Sequence, residues 1–226
     1  MITKPLLILS MLLCTGAFLF AQNNSKNCEC PANKFAPTEP QAVFQFSSGE
    51  SIALCGYKVD DDNRKLFSEF VLTVCGSGTL IDFWDASLLC EVRSVEDTLF
   101  IEQIASLPIG VDFAQQDVAW LIEKITMNEG ELHRTLQLNR EVRKYEPSEI
   151  NDVLVQYEKA DSIPNEYNMT LAGRLLIATI SGNEKARKYF MQFRERFGIL
   201  DGAFSQEYHF LQTMLEAWDS DKEVVY

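Results

Sequence analysis

The amino-acid sequence predicts an α+β protein, in which an N-terminal antiparallel β sandwich or barrel-like domain precedes a C-terminal bundle of about four helices. Short apolar segments rich in Val, Ile, Phe and Thr recur about every 8–14 residues, a spacing typical of antiparallel strands. After Pro147 the apolar residues recur with the helical period instead. We therefore place the β-rich domain at residues 41–145, the helical domain at 146–220 and a C-terminal tail at 221–226.

Turn-forming residues separate the predicted strands. The apolar segments are 42–46, 52–59, 67–75, 79–84, 87–93 and 98–104. The acidic run at 60–63 lies between two of them and lacks the alternating ligands and the distal Glu of an EF-hand, so we interpret it as a solvated turn. Gly76-Ser77-Gly78 also reads as a turn, because it lacks the nucleophile-elbow pattern of serine hydrolases.

Residues 117–142 allow two interpretations. Val118, Leu121, Ile122 and Ile125 share one helical face, which favours a helix. Over residues 132–142, however, apolar and polar residues alternate in the way that is typical of a strand, and Asn128-Glu129-Gly130 resembles a hairpin turn. We predict a final hairpin that pairs 117–127 with 131–142 and closes the β domain.

Four helices are expected in the C-terminal part. Ser148 can cap the first, and the second covers about 168–180. Asn183 can cap the third, which Gly198 ends, and the fourth carries an aromatic and apolar stripe over 204–218. These stripes have the spacing of core residues, and short loops between helices predict an antiparallel arrangement.

Residues 1–21 form a predicted signal peptide. Lys4 precedes an apolar run at 5–20 that is too short for a membrane span, and the sequence becomes polar after Ala21. We expect cleavage between Ala21 and Gln22, with an uncleaved anchor as the alternative. Cys14 lies inside the apolar run and not at its end, which argues against a lipidated cysteine. The region resembles the start of exported bacterial proteins, which implies a periplasmic or secreted protein without a stable membrane anchor.

A polar, proline-containing leader follows at 22–40, and five cysteines lie in the first part of the mature chain. These disulfide candidates are Cys28, Cys30, Cys55, Cys75 and Cys90. Export favours disulfides, and an odd number leaves one cysteine unpaired within the molecule. A bridge between Cys28 and Cys30 would be strained, so we expect one of them to join the leader to Cys55, Cys75 or Cys90. The one-residue spacing of the first pair is not that of a zinc site, and we assign no metal.

The formal net charge is −13, which argues against nucleic-acid binding because that function needs a basic surface. Basic residues cluster only at 134–144 and 185–196, where we expect solvated faces, with a docking surface for an acidic partner as the alternative. No catalytic, cofactor or metal motif is present. Two carboxylate pairs, Asp82 with Asp85 and Glu129 with Glu131, could flank a cleft as in glycosidases, although an acidic chain contains such pairs by chance.

Two functions follow as hypotheses. The first is a non-catalytic exported binding or scaffold protein with a possible protein partner in the cell envelope, because no catalytic constellation is found. The second is a carboxylate-dependent hydrolase of a glycan-type substrate, with its cleft between the β-rich and helical parts, since pockets often form where domains meet.

Overall fold

The computed structural model describes residues 28–31, 39–59, 64–85, 89–128, 130–163, 165–199, 202–220 and 224–225. The predicted signal peptide 1–21 lies outside the described residues, as do its cleavage site at Ala21 and Gln22 and most of the leader. Glu129, a member of one proposed carboxylate pair, lies outside them as well.

The described residues form nine strands in one antiparallel sheet. They are β1 (Ala42–Gln45), β2 (Ser51–Val59), β3 (Leu66–Val74), β4 (Thr79–Trp84), β5 (Leu89–Val95), β6 (Thr98–Leu107), β7 (Gln116–Asn128), β8 (Glu131–Leu138) and β9 (Val224–Val225). The order is β1-β2-β3-β5-β6-β7-β8-β9, and β4 pairs with the second half of β3. The predicted α+β class is confirmed. Closure as a sandwich or barrel is not confirmed, because the described strands form a single open sheet.

The predicted hairpin at the end of the β-rich part is confirmed. Strands β7 and β8 pair in register from Asn128 opposite Glu131 to Leu121 opposite Leu138. Trp120 lies where the pairing of β6 with β7 shifts by one residue. Asn139 stabilises this bulge, since its side chain donates to the carbonyl of Ala119 and its backbone N–H to that of Trp120.

The described part of the chain contains five α-helices after the sheet. They are α1 (Pro147–Lys159), α2 (Glu166–Ile180), α3 (Glu184–Met191), α4 (Phe193–Arg196) and α5 (Gly202–Ser220). The count exceeds the predicted four because Gln192 divides the third helix into α3 and α4. A capping box of Glu146 and Glu149 starts α1 in place of Ser148, whereas Asn183 caps α3 as predicted. None of the helices in the described ranges combines the length and apolar character needed to cross a membrane.

Two apolar cores share the long strands β6 and β7. Leu99, Ile101 and Ile125 lie in the core on one face of the sheet, which we call the sheet core. Farther along the same strands, Ala105, Leu107 and Trp120 lie in the core formed with the helices. The helices are therefore packed directly on the ends of two central strands. The contact includes the Trp120 and Trp218 rings, whose centroids are 5.7 Å apart.

Candidate functional site

Two disulfides join the N-terminal segment to the sheet. Cys28 is bonded to Cys75 and Cys30 to Cys55, so both cysteines of the closely spaced pair reach the β-rich part. These residues cover a small apolar cluster with Ala53 and Val71, on the face of β2 and β3 that is opposite the sheet core. Disulfides persist in oxidising compartments, and their presence is typical of a protein outside the cytoplasm.

Cys90, the fifth candidate, is a buried free thiol on β5. Burial raises the pKa of the thiol to about 12, and the nearby charges of Glu123 and Asp85 act in the same direction. The thiolate is therefore disfavoured at neutral pH, which excludes an activated nucleophile at this position. The raised pKa also indicates that acidic groups lie close to the sheet core.

Two charged side chains, those of Glu123 and Arg134, interrupt the apolar faces of β7 and β8. Along β7 the inward-facing residues include Ile125 and Met127, and Glu123 occupies the next inward position. Arg134 lies opposite Ile125 on β8, so it shares this face and is the diagonal neighbour of Glu123. Glu123 is only 5% exposed, a burial that a carboxylate tolerates only with partners.

Arg134 connects Glu123 on β7 to Asp82 on β4. Its Nε donates to Glu123 Oε1 at 2.6 Å, and its Nη2 donates to Asp82 Oδ2 at 2.6 Å. The indole of Trp84 also hydrogen-bonds to Glu123, and the guanidinium lies 5.7 Å from the Trp84 ring centroid. Phe70 on β3 stacks on Trp84 with centroids 4.8 Å apart, which fixes the position of the indole.

Burial and hydrogen bonding act in opposite directions on this cluster. Burial raises the pKa of Glu123 above its usual value, while the hydrogen bonds from Arg134 and Trp84 counteract the rise. For Arg134, burial alone would lower the pKa of the guanidinium, but its bonds to Glu123 and Asp82 raise it. Arg134 therefore stays charged, and its hydrogen bonds oppose the rise that burial causes in the pKa of Glu123.

The charge cluster forms part of a cleft that we call the β4 cleft. Its volume is about 360 Å³, within the range of small ligand sites, and its lining consists of Asp82, Phe83, Trp84, Asp85, Gln103, Glu123, Arg134 and Leu136. The predicted carboxylate pair Asp82 and Asp85 is thus brought together with Glu123. All lining residues belong to the sheet or directly follow β4, whereas the sequence hypothesis placed a cleft between the β-rich and helical parts.

The arrangement favours recognition over proton transfer. A general acid or base must exchange a proton with its substrate. Glu123 and Asp82 instead accept hydrogen bonds from the charged guanidinium of Arg134, so one oxygen of each carboxyl group is already engaged. The cleft thus offers fixed acceptors on Asp82 and Glu123, donors on Arg134 and an amide on Gln103.

Glu123 and Arg134 were not among the residues selected from the sequence as site candidates. The available signal was the alternation that predicted the hairpin, because each charge stands alone on an otherwise apolar phase of its strand. We expected the basic cluster at 134–144 to be solvated. That expectation is wrong for Arg134, whose side chain is 15% exposed because it folds inward onto Glu123.

The remaining candidates do not join this cleft. His133 faces away from it and lines another hollow with Asp97 and Glu131 at the end of the sheet. In the second basic cluster, Arg196 donates to carbonyl groups at the C-terminal end of α1, those of Tyr157 and Ala160. Among the residues that the structure describes, no group of three or more His, Cys, Asp or Glu side chains could hold a metal ion.

The fold and the site define an α+β protein with a disulfide-bonded antiparallel sheet and a charged cleft lined by residues of that sheet. Comparison with protein-family models, with curated proteins and with solved structures finds no match. The chemistry of the β4 cleft therefore carries the functional assignment.

Proposed function

We propose that this protein is an exported, non-catalytic binding protein of the cell envelope or the secreted fraction, and that the β4 cleft is its binding site. The observation that carries the proposal is the pairing of both Asp82 and Glu123 with Arg134 in a cleft of ligand-site size. Polar groups held in place by one another are preorganised for recognition, because binding then costs little further ordering.

The shape of the sheet and the position of the helical part support this location for the binding site. We propose that the sheet curls in a barrel-like manner, because Arg134 bridges β4 and β8, which are far apart in the strand order. The β4 cleft then occupies the opening that the incomplete barrel leaves. The helical part acts as a four-helix bundle in which α3 and α4 form one interrupted helix, and it supports the sheet from the other end of β6 and β7.

Export is proposed from the predicted signal peptide together with the two disulfides, which a reducing cytoplasm would not maintain. N-terminal sequencing of the protein recovered from the native cell envelope and medium tests this part. We expect the chain to begin at Gln22. A cytoplasmic protein that retains residues 1–21 would contradict it.

The binding function is tested with the mature protein and two single variants. We expect ligands from panels of glycans, peptides and small metabolites to shift backbone NMR signals at the β4 cleft. Asp85→Asn should weaken this binding, whereas Glu131→Gln, an exposed acid outside the cleft, should not.

The same experiment separates the alternative, a carboxylate-dependent hydrolase. Its support is the raised pKa of Glu123 beside Asp82, since a carboxyl group that protonates easily can act as a general acid. Turnover of a glycan that is lost in Glu123→Gln would favour the hydrolase. Absence of any response at the cleft to all three panels would contradict both functions.

A further inference from the structure

We propose that the ligand of the β4 cleft is an extended polypeptide segment with basic side chains, which adds as a strand to the open edge of β4. This inference rests on the proposed binding function and specifies its ligand class. Strand addition of this kind obtains affinity from main-chain hydrogen bonds and specificity from alternate side chains.

The first observation is the unpaired edge of β4. The strand pairs with β3 on one side, and no other described strand pairs with it. An edge strand presents backbone N–H and C=O groups that can pair with another chain. The carbonyl of Ile81 is contacted by the side chain of Arg134, whose Nη1 lies 3.5 Å away. Because this distance is long for a hydrogen bond, a backbone N–H of an added strand could replace the guanidinium as the partner of this carbonyl.

The second observation is the form of the cleft. Four of its lining residues, Asp82 to Asp85, are consecutive, so the last residues of β4 and the residue after it form one wall. Arg134 and Leu136 of β8 form the facing wall. A cleft that follows a strand fits an extended chain better than a compact ligand. Leu80 and Phe83 on β4 are 55% and 46% exposed, which provides apolar contacts for such a chain.

The third observation is the sign of the charge. Asp82, Asp85 and Glu123 outnumber the single cation, Arg134, among the lining residues. Asp82 faces inward beside this edge, since it pairs with the buried Leu72. Inward-facing charges discourage purely apolar strands from adding to an edge, and an acidic strand would be repelled. A partner strand with lysine or arginine side chains at alternate positions avoids both problems, because it is neither purely apolar nor acidic.

The test uses the mature protein and three capped octapeptides as probes. The first alternates valine and lysine. The second alternates valine and glutamate, and the third is the valine–lysine peptide with alternate backbone nitrogens methylated. The third peptide has the charge of the first but cannot complete a ladder, so it separates strand addition from general attraction to a chain of net charge −13.

We expect the valine–lysine peptide to bind and to slow hydrogen exchange of backbone amides in β4. The other two peptides should bind at least about tenfold more weakly, the second by charge repulsion and the third by loss of main-chain bonds. Asp85→Asn should weaken the valine–lysine peptide about three- to tenfold, and Glu131→Gln should leave it unchanged.

Equal binding of the methylated peptide would overturn strand addition, and equal binding of the glutamate peptide would overturn the charge argument. If a saccharide binds in the cleft while none of the peptides does, this inference fails and the proposed binding function stands. If none of the glycans, peptides and small metabolites affects the cleft residues, both fail.

Discussion

Replacing Arg134 by methionine tests the charge cluster most directly. Met has similar length and no charge, so the change removes the partner of Glu123 while retaining much of the volume. Loss of one member of a buried ion pair costs about 3–5 kcal/mol, because the other charge is left without compensation. Glu123 has the burial that this estimate requires, at 5% exposure, whereas Asp82 is half exposed and can return to water.

The loss has an upper limit that depends on pH. Glu123 can avoid the cost of an unpaired buried charge by taking up a proton, and an ordinary Glu with a pKa of about 4.3 needs about 3.7 kcal/mol for this at pH 7. The limit falls by about 1.4 kcal/mol per pH unit, to about 1 kcal/mol at pH 5. We therefore expect Arg134→Met to lower the free energy of unfolding by about 3 kcal/mol at pH 7, within the limit of about 3.7 kcal/mol, and by at most about 1 kcal/mol at pH 5.

The direction of this pH dependence follows from the direction in which the pKa of Glu123 changes. In the variant the folded-state pKa of Glu123 rises further above its unfolded value, so the folded state binds a proton more readily than the unfolded state. The variant then loses stability relative to the native protein as the pH rises from the folded-state pKa of Glu123 in the native protein to its higher folded-state pKa in the variant. Above that pH the difference becomes constant.

Urea unfolding of both proteins at several pH values measures this difference. Arg93→Met is the matched control, because Arg93 and Glu102 also form a diagonal cross-strand ion pair, with the Arg93 side chain 44% exposed. Its loss should stay below about 1 kcal/mol. Adding Glu123→Gln to Arg134→Met should restore most of the stability at pH 7. A loss that does not change with pH, or one no larger than that of the control, would refute the assignment of Glu123 as a buried charge.

Two further predictions concern the packing and the cysteines of the sheet. Gly56→Ala should destabilise the protein by more than about 2 kcal/mol in urea unfolding, because a Cβ atom would lie 2.2 Å from Cβ of Phe70 and force β2 and β3 apart. Unchanged stability would show that the strands can separate without cost. Thiol titration of the unreduced mature protein should detect almost no reactive thiol when folded and one, Cys90, after denaturation. Detection of several thiols would contradict the Cys28–Cys75 and Cys30–Cys55 bridges.

Local patterns predicted most of the secondary structure. The hairpin of β7 and β8 followed from alternation, and the helical stripes after Pro147 followed from the period of the apolar residues. The division of the third helix at Gln192 could not be predicted, because the aromatic stripe continues across it and tertiary packing decides where the helix is interrupted. The capping residue was missed because Ser148 is a good cap in isolation, while Glu146 and Glu149 cap reciprocally.

The β4 cleft could be predicted only in part. Asp82 and Asp85 were selected as a possible pair, yet their neighbours Glu123 and Arg134 are distant in the sequence. Their meeting depends on a contact between β4 and β8, strands that are far apart in the strand order, and such contacts are set by bulges and packing between strands. A single charge on an apolar phase is visible in a sequence. The partner that compensates it becomes known only from the three-dimensional pairing.

The division into a β-rich and a helical domain near residue 145 remains a prediction, and the shared strands give a reason to expect cooperative unfolding. If β6 and β7 unfold, the helical core loses Ala105, Leu107 and Trp120 at once. Variants that retain only Trp84, or only Trp120 and Trp218, report on the sheet core and on the sheet–helix contact separately. We expect both fluorescence signals and the helical circular dichroism to share one urea midpoint. A helical signal that persists after Trp84 is exposed would show instead that the helices form an independent domain, because their core would then be stable without the sheet.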